Sequence, residues 1–288
     1  MKKINIGIIG FGNIGSAVAE AIERNQYSIA AHSGIEINLK AVCDVRKVKT
    51  PCPLTLDPNK IINDPAIDVI VEAIGGENPA LKIILAALKA GKSVVTPNKE
   101  VIAKHLPEIL TTAQANQVNV LFEAAVGGGI PILRSLKEDL VGNRVTEVYG
   151  IVNGTTNYIL TRMTEEGMEL AEALKIAQSR GYAEPNPKAD IEGYDASYKA
   201  AILASVAFGA QVDWKAIKFE GITGIAREDI QYAGEIGYKI KLLAVAKLLN
   251  DKLDVRVYPA LVPFSHPLSS VSDNYNAIYV KADPVGDL

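Results

Sequence analysis

Ile4 to Ile9 is a β-branched run that stops at Gly10, and apolar positions recur at helical spacing from Asn13 to Arg24. The chain therefore opens as strand, glycine turn, helix. Residues 25–37 keep neither period and read as an inserted loop. Strands are expected at Asn38–Asp44, Ala66–Ile74, Ser93–Thr96 and Val118–Glu123, with helices at Pro79–Ala90 and Glu100–Asn116. The strands are apolar with little polar alternation, the pattern of a parallel sheet covered on both faces. Residues 1–127 thus predict a doubly wound, Rossmann-type α/β dinucleotide-binding domain.

After Gly127-Gly128-Gly129, a hinge or close-approach loop, the pattern changes. A helix is expected at Pro131–Leu140 and an alternating strand at Val145–Val152, ended by Asn153-Gly154, with Thr155 capping the helix that follows. Further helices are expected at Glu169–Arg180, Ala196–Phe208 and Tyr232–Leu249, and strands at Leu253–Val262 and Ala277–Lys281. Residues 128–288 read as a second, mixed α+β domain with antiparallel strands.

Composition narrows the function. The chain has 288 residues, 48% hydrophobic and 22% charged, enough for two ordinary domains with substantial cores. A net charge of -3, with no basic run longer than Lys2-Lys3, leaves no footprint for nucleic acid or a membrane surface, so the expected partner is a small molecule. The N-terminal apolar run is broken by glycines too early for a signal peptide, and no segment reaches the roughly 18 to 20 apolar residues that span a bilayer. A cytoplasmic protein is expected. Cys43 and Cys52 are not spaced as CxxC, and His32, His105 and His266 show no triad or metal spacing. No GxSxG or HExxH motif is present.

Gly10-Phe11-Gly12-Asn13-Ile14-Gly15 satisfies GxGxxG between a predicted strand and a predicted helix. The first glycine permits the tight turn, the second lets backbone N–H groups approach a pyrophosphate, and the third lets helix pack on sheet. Asp44 closes the second strand, where an acid accepts the ribose hydroxyls of NAD; Arg46, Lys47 and Lys49 just beyond would suit the 2′-phosphate of NADP. The sequence leaves NAD and NADP both open.

In the second half, the helix ASYKAAILASVAFGA (196–210) carries Lys199 as its only charge. A desolvated lysine is a usable proton donor or acceptor near neutral pH. Asp195 lies four residues earlier. An ordinary i,i+4 pair would account for Lys199 on an exposed helix, but not on one apolar on nearly every face, so a functional lysine is the favoured reading. Glu184, Asp190, Glu192 and Asp195 follow or flank a proline-rich turn and could hold a substrate ammonium, which needs carboxylates once buried. Thr96-Pro97-Asn98-Lys99 ends a strand of the first domain, where open α/β sheets place ligands.

The segments GFGNIG (10–15), VEAIGG (71–76), GKSVVTPNKEVIA (91–103), FEAAVGGGIPI (122–132), NGTTNYIL (153–160) and GYAEPNPKADIEGYDASYKAAILA (181–204) resemble the homoserine dehydrogenase family, over essentially the whole chain. The resemblance implies a nicotinamide cofactor, NAD or NADP, on Gly10–Gly15 with Phe11, Asn13 and Ile14 lining it. It implies that Gly75, Thr96 and Gly154 approach the nicotinamide, that Lys199 is the general acid/base and that Lys99 assists it. Glu184, with Asp190 and Asp195, would bind the substrate amino group. A monovalent cation, sodium in the family, would be held by Glu123 and the backbones of Val126, Gly128 and Ile130. Homodimerisation through the second domain and a place in threonine, methionine and isoleucine biosynthesis are further implications.

Two departures stand out. Asn186 occupies a position where many relatives have Asp, and the chain stops at Leu288 where relatives continue with a glycine-rich loop and a small-residue helix that return to the nucleotide domain. A related amino-acid dehydrogenase and a nucleotide-binding protein without turnover are the alternative readings.

Overall fold

A computed structural model describes all 288 residues. By Cα packing the chain divides into two units, Met1–Ala125 and Val126–Leu288.

The first unit runs β1 (Lys2–Ile9), α1 (Asn13–Ser33), β2 (Ile35–Cys43), β3 (Leu54–Thr55), α2 (Asn59–Ile62), β4 (Val69–Glu72), α3 (Ala80–Lys89), β5 (Ser93–Val95), α4 (Lys99–Ala115) and β6 (Val120–Leu121). All six strands are parallel, in the order β3-β2-β1-β4-β5-β6. This is the doubly wound order whose switch point falls beside β1, so the turn at Gly10 stands where such sheets bind dinucleotides. Ile6, Ile8, Val42 and Val71 of the sheet pack with Ala19 of α1.

The inserted loop expected at 25–37 does not exist. Helix α1 continues to Ser33, because no residue after Arg24 breaks it until Gly34, which takes a left-handed φ of 69° and donates its N–H to the Ala30 carbonyl at 2.9 Å. The exposed stretch from Asn25 to Ser28 carries no apolar face, which hid the helix from a periodicity reading. The strand expected at Val118–Glu123 is shorter, with Glu123–Ala125 forming a 3-10 turn.

The second unit begins with a short α turn, α5 (Ile132–Arg134), that widens into a π turn over Ser135–Asp139, where one regular helix was expected. It continues with β7 (Arg144–Ile151), α6 (Gly154–Glu166), α7 (Leu170–Ser179), α8 (Lys188–Ile191), α9 (Tyr194–Phe208), β8 (Lys218–Phe219), α10 (Arg227–Glu235), β9 (Tyr238–Leu249), β10 (Lys252–Pro263), β11 (Ala277–Asp283) and β12 (Gly286–Asp287). The sheet order is β12-β11-β7-β9-β10-β8, antiparallel except that β8 and β10 run parallel.

The helix expected over Tyr232–Leu249 is the largest correction. Only Arg227–Glu235 is helical, and Tyr238–Leu249 is a central strand between β7 and β10. Ile240 to Ala246 are buried on both faces, so the run shows no alternation, and its Leu, Ala and Lys content suits a helix. The hairpin decides it. Asn250 and Asp251 both adopt positive φ, 48° and 60°, giving the two-residue turn whose twist matches antiparallel strands and setting Leu249 opposite Lys252. Helix α9 packs on β7, β9 and β10. On the opposite sheet face Ile151, Leu243, Val245, Val262 and Leu268 form a second cluster.

Lys241 of β9 is only 3% exposed. Its ammonium donates to Asn157 Oδ1 at 3.0 Å and the Val271 carbonyl at 2.7 Å, and burial pushes its pKa down to about 8. The unfolded chain holds that proton to about 10.5. Between the two values the unfolded state binds more protons, so folding stability rises with pH, and the gain is lost as pH falls through the folded value. Relative to Lys241→Met, the wild-type chain is expected to gain on the order of 3 kcal/mol between pH 8 and 10.5 in denaturant titrations. Parallel stability curves for the two proteins would contradict this.

Candidate active site

Gly10 has a φ of 96°, and a Cβ on it would lie 2.5 Å from the Ala73 carbonyl oxygen. A Cβ on Gly15 would lie 2.0 Å from the Gly10 carbonyl oxygen, so only glycine lets α1 approach β1 this closely. Around Gly12, by contrast, nothing lies within 4 Å of a Cβ position. The first turn of α1 has no side-chain cap and no acidic residue, leaving its N–H groups for an anion. Asn13 and Ile14 are exposed and Phe11 is half-buried. A cavity of about 370 Å³ adjoins this turn, lined among others by Gly10, Gly12, Asp44, Arg46 and Ile74. A dinucleotide fits this cradle: open space at Gly12, uncapped amides, and a cavity beside them.

Asp44 accepts hydrogen bonds from Phe11 N at 2.8 Å and from Arg46 N at 2.8 Å, Nε at 3.0 Å and Nη2 at 3.2 Å. The Arg46 guanidinium holds its carboxyl well below the usual carboxylate range, so Asp44 is an anion at any working pH. The Arg46 side chain itself is 63% exposed.

Beyond the carboxyl end of β4, Gly75 and Gly76 adopt left-handed φ values of 81° and 67°. Thr96, expected near the cofactor, is 1% exposed, and its hydroxyl donates to Glu72 Oε2 at 2.6 Å while accepting from Asn98 N at 3.0 Å. Its side chain is therefore committed to the protein. Asn98 caps α4 through Val101 N at 3.2 Å, and Lys99 is the first residue of that helix, half-buried.

In the second unit Asn153, between β7 and α6, is the hub. Its Oδ1 accepts from Thr156 N at 2.8 Å, so Asn153 caps α6 and the expected cap at Thr155 is wrong. Thr155 instead donates its hydroxyl to the Tyr182 carbonyl at 2.5 Å. The Asn153 amide nitrogen donates to Asp190 Oδ1 at 2.7 Å and Asp195 Oδ2 at 2.8 Å. Asp195 Oδ2 also pairs with Lys199 Nζ at 2.7 Å, and Nζ donates to the Val152 carbonyl at 2.7 Å. The plain i,i+4 pair exists, yet its side chains are only 5% and 15% exposed, unlike a surface pair. Glu184 is exposed on its turn and does not join this network. Gly154 opens α6; a Cβ there would lie 2.7 Å from the Asn274 carbonyl oxygen, so the chain's own backbone already demands glycine.

No group of three or more His, Cys, Asp or Glu gathers as a metal site. Of the expected cation ligands, Glu123 opens the 3-10 turn, Val126 is buried, Gly128 has a φ of 60° and Ile130 donates its N–H to the Gly127 carbonyl at 3.1 Å. Asn153 as hub, Val152 as acceptor and the buried Glu72 were not singled out from the sequence; the two hubs lie inside NGTTNYIL and VEAIGG, motifs that were recognised without their geometry.

Comparison with known proteins gives one answer for both units. Residues 131–288 match the family model described as homoserine dehydrogenase, and residues 10–123 match that of the homoserine dehydrogenase NAD binding domain. The homoserine dehydrogenase of Neisseria gonorrhoeae is 41% identical, covering 100% of this chain and 67% of its own length; that of Synechocystis is 44% identical, covering 99% and 68%. The crystal structure of a homoserine dehydrogenase from Thiobacillus denitrificans superimposes with a TM-score of 0.97 at 41% identity, over 100% of this chain and 68% of that one. A hyperthermophilic archaeal homoserine dehydrogenase in complex with NADPH gives 0.84 at 27% identity, over 99% and 90%.

Proposed function

The chain belongs to the homoserine dehydrogenase family, and on that premise we propose that Met1–Ala125 holds the dinucleotide, Val126–Leu288 holds the amino-acid substrate, and Lys199 moves the proton. The reaction is the NAD(P)-dependent interconversion of L-homoserine and L-aspartate 4-semialdehyde, a step of amino-acid biosynthesis. A related amino-acid dehydrogenase and a binding protein without turnover are not favoured, because the family match runs through the substrate half.

When bound, the nicotinamide supplies the hydride to the aldehyde carbon or takes it back from the alcohol carbon. The protein's part is carried by one observation, the fixed surroundings of Lys199. A charged Nζ has three protons; Asp195 and the Val152 carbonyl engage two. The third is directed to the substrate oxygen and neutralises the developing alkoxide. In the oxidative direction the lone pair at the same tetrahedral position takes the hydroxyl proton, with the other two bonds unbroken. Glu184, with Asp190 and Asp195, binds the substrate ammonium, and Lys99 assists from the carboxyl end of β5.

Sodium is the proposed structural cation, on Glu123 and the carbonyls of Val126, Gly128 and Ile130; an all-oxygen set suits a hard ion. We further propose a homodimer through the second unit, where Tyr258, 37% exposed, shares a sheet face with Tyr149 and Tyr279. A cytoplasmic location fits a biosynthetic oxidoreductase, and no helix is long and apolar enough to cross a membrane.

Arg46 is the proposed partner of a 2′-phosphate, since its guanidinium stands exposed beside the glycine turn, steadied by Asp44. Steady-state kinetics with homoserine and either NAD+ or NADP+ test this. A charge-assisted contact of this kind corresponds to about 10- to 100-fold. Arg46→Ala is expected to raise the KM for NADP+ by that factor and to leave NAD+ within about 3-fold; equal changes for both cofactors would remove Arg46 from this role.

A further inference from the structure

Glu72, the last residue of β4, is fully buried and forms no ion pair. Its carboxylate accepts from Ile74 N at 2.7 Å through Oε1 and from the Thr96 hydroxyl at 2.6 Å through Oε2. A buried carboxylate without a cation is costly, and an apolar side chain of similar volume at a strand end would serve stability better. The bonds it makes point to another role.

They belong to a closed ring. Thr96 Oγ1 accepts from Asn98 N at 3.0 Å, and the Asn98 side-chain amide donates to the Gly76 carbonyl at 2.8 Å. The ring ties the loop after β4 to the loop after β5, and Asn98 extends it to the first turn of α4 through Val101 N at 3.2 Å. Gly75 and Gly76 have no side chains with which to hold their own left-handed conformation, and Lys99 follows Asn98 directly.

We infer that Glu72 is a positioning residue for hydride transfer, acting through this ring to fix the Gly75-Gly76 backbone and Lys99 around the nicotinamide. The inference rests on the proposal that Gly75, Thr96 and Lys99 border the nicotinamide. It does not make Glu72 a proton donor or acceptor, because both its oxygens are spent on the protein.

The test is a double-mutant cycle on the purified full chain, with kcat, KM for homoserine, Kd for NADPH by fluorescence, and the isotope effect on homoserine deuterated at the reacting carbon. Misplacing reacting groups by a fraction of an ångström is enough for large losses of rate. Glu72→Ala is expected to lower kcat by about 30-fold and raise the isotope effect, with KM and Kd within about 3-fold. Glu72→Gln, which can accept from Ile74 N and donate to Thr96, recovers most of the loss. In the Lys99→Ala background, Glu72→Ala costs clearly less than the roughly 30-fold it costs in the wild type, because one of the two groups it positions is gone. If the alanine variant does not fold, Thr96→Val opens the ring while keeping volume, and the same pattern is expected of it. Unchanged kcat in Glu72→Ala or Thr96→Val, or losses that multiply fully with Lys99→Ala, overturn the inference. Lys99→Ala with wild-type turnover would instead overturn the underlying placement of the site.

Discussion

Lys199→Ala is expected to lower kcat for homoserine oxidation by about 1,000-fold while NADPH still binds with wild-type affinity. General acid/base groups contribute about 10² to 10⁴ in rate, and Lys199 is the proton carrier of the proposed site. Asp195 and the Val152 carbonyl engage two of the three Nζ protons, so the third is aimed rather than free to wander. Lys199 lies in the second unit and the glycine turn in the first, so cofactor affinity and turnover separate cleanly in this variant. Lys199→Arg is expected to fail as well, since a guanidinium does not give up its proton at working pH. Wild-type turnover in either variant would remove Lys199 from the chemistry.

Gly15→Ala is expected to abolish tight dinucleotide binding, weakening it by about 100-fold, and to lower Tm. The added carbon would stand 2.0 Å from the Gly10 carbonyl oxygen and 3.3 Å from Ile8 Cγ2, so α1 must back away from β1. Overpacking of this kind costs about 1 to 3 kcal/mol of stability, and the shifted helix start takes its N–H groups off the phosphates. Two charge-assisted hydrogen bonds lost account for the expected factor. Gly12→Ala makes the contrast. Its Cβ meets nothing within 4 Å, so that variant should keep its Tm and lose affinity alone, by occupying space the pyrophosphate needs. Equal Tm and equal affinity in the Gly15 variant would show that this turn does not set the cofactor site.

The strand, turn and helix around Gly10 were legible because glycine spacing and a change of hydrophobic period coincide there. Helix α1 beyond Arg24 was not, because its exposed stretch from Asn25 to Ser28 interrupts the apolar stripe; only Gly34 marks its end. Strand β9 was misread for the opposite reason: buried on both faces, it has no period at all, and the pairing that settles it comes from β7 and β10. In the site, Lys199 was conspicuous as the single charge of its helix, and its pair with Asp195 followed from spacing. What spacing could not supply was Asn153, which reaches Asp190 and Asp195 across 37 and 42 residues, or Glu72, which reaches Thr96 across 24. Bonds of that range are made by the fold, so a linear pattern contains their residues without their partners. Gly154 and Thr96, expected to approach the cofactor, also have partners inside the protein that no linear pattern shows: a close backbone at Asn274 in one case and a hydroxyl bonded to Glu72 in the other.

The central claim is that this chain couples a nicotinamide on its first unit to homoserine on its second. Its most direct test is to mix the purified chain with L-homoserine and NAD+ or NADP+, and to follow reduced nicotinamide by absorbance and the aldehyde by trapping. The account predicts that reduced cofactor and aspartate 4-semialdehyde accumulate in equal amounts, with at least one of the two cofactors. Tight binding of both cofactors with no homoserine-dependent reduction of either would contradict it.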